Sequence, residues 1–87
     1  MKKFSIQIKG YRTSGLVDSP INVNSTTFVN NGTATVLINN EFLLAVGDSL
    51  KIEGNENEID VTKYKLTFET PAGGLVTVFT KQFNEVK

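Results

Sequence analysis

The carboxylates of Glu53, Glu56, Glu58 and Asp60, interleaved with Asn55 and Asn57, are the densest reactive groups in this chain. Calcium takes several oxygen ligands from one flexible loop, and this stretch alone has that character. Its spacing is not that of an EF-hand, and alternate residues of a strand splay along one face instead of wrapping an ion. The stretch therefore reads as a solvated hairpin tip whose charges discourage edge pairing. Ser14, Ser19 and Ser49 have no imidazole to take a proton, because the chain contains no histidine, and it contains no cysteine or tryptophan either. Histidine-based triads, thiol catalysis, zinc sites and disulfides are excluded on composition alone. No pair of acids is placed for glycoside hydrolysis, and no glycine-rich phosphate loop leads into a helix. A non-enzymatic protein is expected, with no catalytic residue, no cofactor and no metal.

Aromatic side chains offer a second kind of chemistry, stacking on sugars or unpaired bases. Phe4, Phe28, Phe42, Phe68, Phe79 and Phe83 mostly alternate with polar neighbours and read as core. Tyr11 and Tyr64 are different. Tyr64 lies between Lys63 and Lys65, an arrangement suited to a phosphate or a sugar. Tyr11 stands with Arg12 and Leu16 in the segment from Gly10 to Pro20, which has no periodicity and reads as a loop. Tyr11, Arg12, Leu16, Lys63, Tyr64 and Lys65 are the candidate contact surface.

The elements that must carry these residues are short strands. Phe4, Ile6 and Ile8 alternate with Ser5, Gln7 and Lys9, the period-two pattern of a strand with one wet face. A second extended stretch runs from Ile21 to Val29. Asn30-Asn31-Gly32 follows as the strongest hairpin signal, because Asn-Gly tolerates positive φ at both central turn positions. Thr33 to Ile38 reads as the return strand, with Ala34, Val36 and Ile38 on one face, and Asn39-Asn40 as a second tight turn. Thr26–Asn31 resembles Thr35–Asn40 at a spacing of nine, which fits two arms of a meander. Leu50 and Ile52 mark a short strand after Gly47-Asp48. The apolar parity is odd at Ile59 and Val61 and even at Tyr64, Leu66 and Phe68, so a bulge or turn falls near Thr62-Lys63. Pro71 to Gly74 turns the chain into a last strand, in which Leu75, Thr77, Phe79 and Phe83 share parity. Strands every eight to twelve residues without a helical period predict an all-β chain of about seven or eight short strands. The expected form is a small antiparallel sandwich or barrel, immunoglobulin-like or jelly-roll-like, in one domain over residues 1–87.

Nine basic residues balance nine acidic ones. Gripping a nucleic-acid backbone needs a positive excess, so nucleic acid is an unlikely partner on this composition, whereas zero net charge is compatible with self-association. No apolar run is long enough for a membrane span, and Met1-Lys2-Lys3 is not followed by the apolar stretch of a signal peptide, so synthesis in the cytoplasm is expected. A small core without disulfide or metal also favours stabilisation by an oligomer.

The Asn- and Thr-rich strands, the turns Asn30-Asn31-Gly32 and Pro71-Ala72-Gly73-Gly74, and the stretch Val46 to Ile52 together resemble the small all-β structural proteins of tailed bacteriophages. These are the head-decoration, auxiliary capsid and fibre-base subunits. Val46 to Ile52 is also similar to the turn and strand of bacterial immunoglobulin-like modules. The phage resemblance implies a virion protein with no catalytic residues, whose partners are capsid or tail subunits. Two alternatives stand beside it: an immunoglobulin-like module binding carbohydrate or protein, and a barrel binding single-stranded nucleic acid. One patch of exposed aromatics favours the module, whereas aromatics that are all buried count against it.

Overall fold

The computed structural model describes residues 2–18, 22–55, 58–70 and 72–85. Alternation of side chains across a pleated backbone sets which residues meet inside. The strands are β1 (Lys2–Tyr11), β2 (Gly15–Leu16), β3 (Val23–Asn30), β4 (Val36–Ile38), β5 (Phe42–Leu44), β6 (Ser49–Glu53), β7 (Lys65–Phe68) and β8 (Val76–Glu85). They form two four-stranded sheets, β1-β8-β3-β6 and β2-β7-β4-β5, in which every pairing is antiparallel. The pairings nest: β1 lies beside β8, β2 beside β7, β3 beside β6 and β4 beside β5.

Phe28 of β3 and Val76 and Val78 of β8 turn inward from the first sheet. Val36, Ile38, Leu44, Leu66 and Phe68 turn inward from the second, with Val17 and Tyr64 closing the core and Leu50 and Ile52 packed on its margin. A bulge between Val23 and Ser25 lets both Val23 and Asn24 point inward. Asn24 accepts this burial because its Nδ2 donates to the carbonyls of Asn55 and Glu58, each at 2.9 Å.

Asn30-Asn31-Gly32 does not close a hairpin. It carries the chain from the first sheet to the second, so β3 and β4 are not partners and the repeated segments are not arms of one meander. The reason is Asn30, which is fully buried and points into the core instead of standing in a solvated turn. Its Nδ2 donates to the Ala34 carbonyl at 2.9 Å and the Leu44 carbonyl at 3.1 Å. Its Oδ1 accepts the Gly32 N–H at 3.1 Å. Gly32 has to be glycine because a Cβ there would collide with the Gly73 carbonyl oxygen. The tight hairpin is the one at Asn39-Asn40, joining β4 to β5, with φ of 55° and 58° as a type I′ turn requires.

Three further expectations change. The segment from Gly10 to Pro20 is not all loop: Gly10 and Tyr11 end β1, and Gly15 and Leu16 pair with Leu66 and Lys65. Ser19 and Pro20 lie outside the described residues. Ile59 and Val61 belong to no strand and are exposed, whereas of the bulge or turn expected near Thr62-Lys63 the structure has a side-chain turn, the Thr62 N–H donating to Asp60 Oδ1 at 2.8 Å. In β8 the inward parity is Val76, Val78 and Thr80, so Phe79 and Phe83 face away from the core.

Replacing Asn30 by alanine strands two buried carbonyls and an N–H, which should cost about 2–3 kcal/mol. In a domain of this size that is a fall in melting temperature of about 10 °C or more. Asn30→Asp should be worse, because it sets an anion against two carbonyl oxygens. Thermal unfolding by circular dichroism measures both; a loss of only a degree or two in each would contradict this role.

Candidate interaction surface

The register of the first sheet arranges its outer face in rows. Phe4 stands opposite Phe83, and Ile6 opposite Lys81, Ser25 and Glu53 in turn. Ile8 begins the row that continues through Phe79, Thr27 and Lys51, and Gly10 the one through Thr77, Val29 and Ser49. Polarity therefore changes across the sheet, apolar at β1 and polar or charged at β6. Phe4, Ile6 and Ile8 are 58%, 57% and 63% exposed, so the apolar side of β1 is its solvent side. The other side of β1 carries Ser5, Gln7 and Lys9 opposite Gln82, Thr80 and Val78, and only Tyr11 reaches the core. Polar contacts hold that side in place: Gln82 Nε2 donates to Ser5 Oγ at 3.2 Å, and Lys9 pairs with Asp18. The Lys9–Asp18 pair holds the ammonium above its ordinary pKa, mainly through the hydrogen bond.

Over the aromatic end of this face lies Lys81, its Nζ 4.6 Å from the Phe4 ring centre and 5.7 Å from that of Phe83. The ammonium occupies ring surface that a sugar or base would otherwise stack on. Phe4 and Phe83 thus form an aromatic pair that is already partly covered, and Phe79 stands two rows away opposite Ile8.

β1 is also an edge, with β8 its only neighbour among the described strands. The other edges are shorter: β2 has two residues, β5 three, and β6 five with a Lys51–Glu53 ion pair at 2.7 Å. Short, charged edges resist pairing with other chains, whereas a long one with an apolar face invites it.

The residues singled out from sequence are placed less uniformly. Tyr64 is buried, its ring edge-on to Phe28 with centres 5.2 Å apart, so it is not an exposed platform between Lys63 and Lys65. Its hydroxyl donates to Asp60 Oδ2 at 2.5 Å. Burial and this bond push the Tyr64 phenol up to about 12. Partial burial raises the Asp60 carboxyl, but hydrogen bonds from Tyr64 and Thr62 outweigh it and leave the carboxyl below its ordinary value. Tyr11 is half-buried against the core, and its hydroxyl accepts the Asp18 N–H at 3.0 Å. Arg12, Leu16, Lys63 and Lys65 are exposed. The β2–β7 pairing sets Leu16 opposite Lys65, and Leu16 and Lys63 line one shallow groove with Val17 and Asp18. In the acidic stretch Glu53 pairs with Lys51, Glu58 Oε1 accepts the Asn55 N–H at 2.5 Å, and Asp60 is held by Tyr64. These carboxylates serve separate local contacts; Glu56 and Asn57 lie outside the described residues.

Reading the aromatics as core misplaced Phe4 and Phe42, which are exposed, and Phe79 and Phe83, which face away from the core. A signal was present in β8, where Val76 and Val78 on one parity and Phe79 and Phe83 on the other make both faces apolar. That is the pattern of a strand covered on both sides.

Two outcomes follow. Ile8→Thr should leave the unfolding free energy within about 0.5 kcal/mol of the parent, since the side chain packs against solvent. A loss above about 1.5 kcal/mol in a denaturant titration would place Ile8 in the core instead. The Tyr64 pair predicts pH dependence: the phenol's raised pKa contributes stability that is complete below pH 10.0 and is lost as pH rises through about 12. Asp60 contributes stability above its ordinary pKa of 3.8 that fades as pH falls through its lowered value. Tyr64→Phe should remove the Tyr64 share of the alkaline loss and cost about 1–2 kcal/mol at neutral pH; parallel melting curves from neutral to strongly alkaline pH would show it.

Comparison with protein-family models, curated proteins and solved structures finds no match to this chain.

Proposed function

We propose that this chain is a non-enzymatic structural protein that works by protein–protein contact, an auxiliary or decoration subunit of a virus particle. The observation that carries the reading is the apolar outer face of β1 and β8. Burying Phe4, Ile6 and Ile8 on a partner removes large apolar side chains from water, which stabilises association by about 25 cal/mol per Å² covered. A face graded from apolar at β1 to charged at β6 resembles the centre and rim of a protein interface.

The finer fold reading is a jelly roll. Its support is the nesting of strand partners, β1·β8, β2·β7, β3·β6 and β4·β5, as if one long hairpin had been rolled into two sheets. Jelly rolls are a recurring architecture of viral capsid and lectin domains. That link is analogy at the level of fold, and the contact face is the physical argument. The immunoglobulin arrangement groups its strands differently.

A binding module is the second reading, favoured by the aromatics Phe4, Phe83 and, two rows on, Phe79 along one outer face. Lys81 over two of these rings argues for a protein ligand in preference to a sugar. A single-strand nucleic-acid binder has least support, with zero net charge and Lys51 already paired to Glu53.

The test is whether the chain is present in particles purified from its source, by mass spectrometry, and whether recombinant protein co-sediments with capsids that lack it. Phe4→Ser combined with Ile8→Ser should reduce co-sedimentation at least tenfold, while Leu43→Ser, exposed on the other sheet, should not. Absence from particles would end the virion reading, and equal binding by both variants would take the contact away from the outer face of β1.

A further inference from the structure

We infer that the edge of β1 pairs antiparallel with β1 of a second copy of this chain, in the register that sets Gln7 opposite Gln7. The proposal adds a partner to the contact face described above. It rests on that reading only in taking β1 as the side of the molecule where contacts are made.

The strand's own sequence selects the register. A two-fold axis normal to the sheet keeps outer side chains outside, so only registers that join positions of equal parity are allowed. With Gln7 at the axis, Ile6 meets Ile8 of the second copy, and Phe4 meets Gly10, whose missing side chain leaves room for the ring. On the other face Ser5 meets Lys9, and Lys3 meets Tyr11, whose ring packs on the core with Lys9 of its own chain over it. Within the aligned residues 3–11 no like charges oppose each other, and Lys2 and Arg12, which would, lie just beyond them. Moving the axis to Ile6 keeps the same overlap but sets Lys3 against Lys9 twice, and moving it to Ile8 shortens the overlap. The favoured register aligns residues 3–11 of both copies and forms about eight to ten main-chain hydrogen bonds, whichever parity points outward. A stable interface carries about ten. Within each copy Lys9 is already neutralised by Asp18, and the zero net charge adds no long-range repulsion between copies. β1 is moreover the one long edge among the described strands.

The pairing leaves the outer face open and doubles it. Ile6 and Ile8 of each copy become one continuous apolar band across the axis, flanked by the two aromatic pairs.

Because the chain has no cysteine, single introduced thiols report the register without interference. Opposed residues of an antiparallel pair have Cα atoms about 4.5–5.5 Å apart, inside the range a disulfide spans. Light scattering from about 1 µM to about 1 mM should show the mass rising from one chain to two, as an interface of modest area implies. Under mild oxidation Gln7→Cys should cross-link as a dimer, and Lys9→Cys alone should not. A mixture of Ser5→Cys and Lys9→Cys should cross-link at least tenfold more than either variant by itself. Ile6→Lys should return the protein to a monomer with an unchanged far-ultraviolet spectrum.

A single-chain mass at every concentration would overturn the proposal. So would a dimer in which Gln7→Cys cross-links no better than Lys9→Cys. Particle binding reports separately: a monomer that still co-sediments through Phe4 and Ile8 removes the second copy and leaves the contact face standing. A cross-linked dimer that ignores capsids supports the pairing and removes the virion reading.

Discussion

Asn30 sits where three connections between strands converge, and each of its polar groups has a partner. Its N–H donates to the Asp48 carbonyl at 2.9 Å, and its own carbonyl accepts the Gly47 N–H at 3.1 Å. The side-chain amide reaches the carbonyls of Ala34 and Leu44 and the N–H of Gly32. One residue at the end of β3 thereby ties the crossing into β4, the end of β5 and the turn into β6. A buried amide with every group satisfied is directional in a way that apolar packing is not, and it permits one arrangement of the surrounding corners. The two sheets are tied together at this end by these bonds.

At the edge of the first sheet β1 holds its place with little core contact. Only Tyr11 reaches the interior, and the rest is held by ladder hydrogen bonds to β8, the Ser5–Gln82 contact and the Lys9–Asp18 pair. Apolar residues on the outward side of such a strand add little to the stability of the isolated chain. Under the proposed function their place is in a contact with a partner. Lys81, lying over the rings of Phe4 and Phe83, limits how much of that pair is bare in water. A long side chain can swing aside when a partner arrives, since its stem remains against the apolar surface.

The all-β class, the alternation within most strands and the turn at Asn39-Asn40 were legible because they are local. Period two and paired positive φ angles are properties of a few consecutive residues. The same local chemistry misplaced Asn30-Asn31-Gly32, for an Asn-Gly corner reads alike whether it returns a strand to its neighbour or carries it to the other sheet. Tyr64 illustrates a similar limit. Flanking lysines suggested an exposed ring, but the segment leading into β7 leaves Lys63 and Lys65 exposed and turns the tyrosine in, against Phe28.

Composition by itself determined the chemistry that is absent: with no histidine or cysteine, side chains of those kinds can supply neither a nucleophile nor a metal ligand. Alternation by itself determined that strands would form and that Phe4, Ile6 and Ile8 would share one face. Which way that face points was decided only by tertiary structure. Direction depends on the register of β1 against β8, and β8 is apolar on both sides, so nothing within β1 distinguishes the core from the solvent. The pairing of Tyr11 with Val76 carries that information, from residues far apart in the chain. It turns the apolar row of β1 outward, to the solvent side of the sheet.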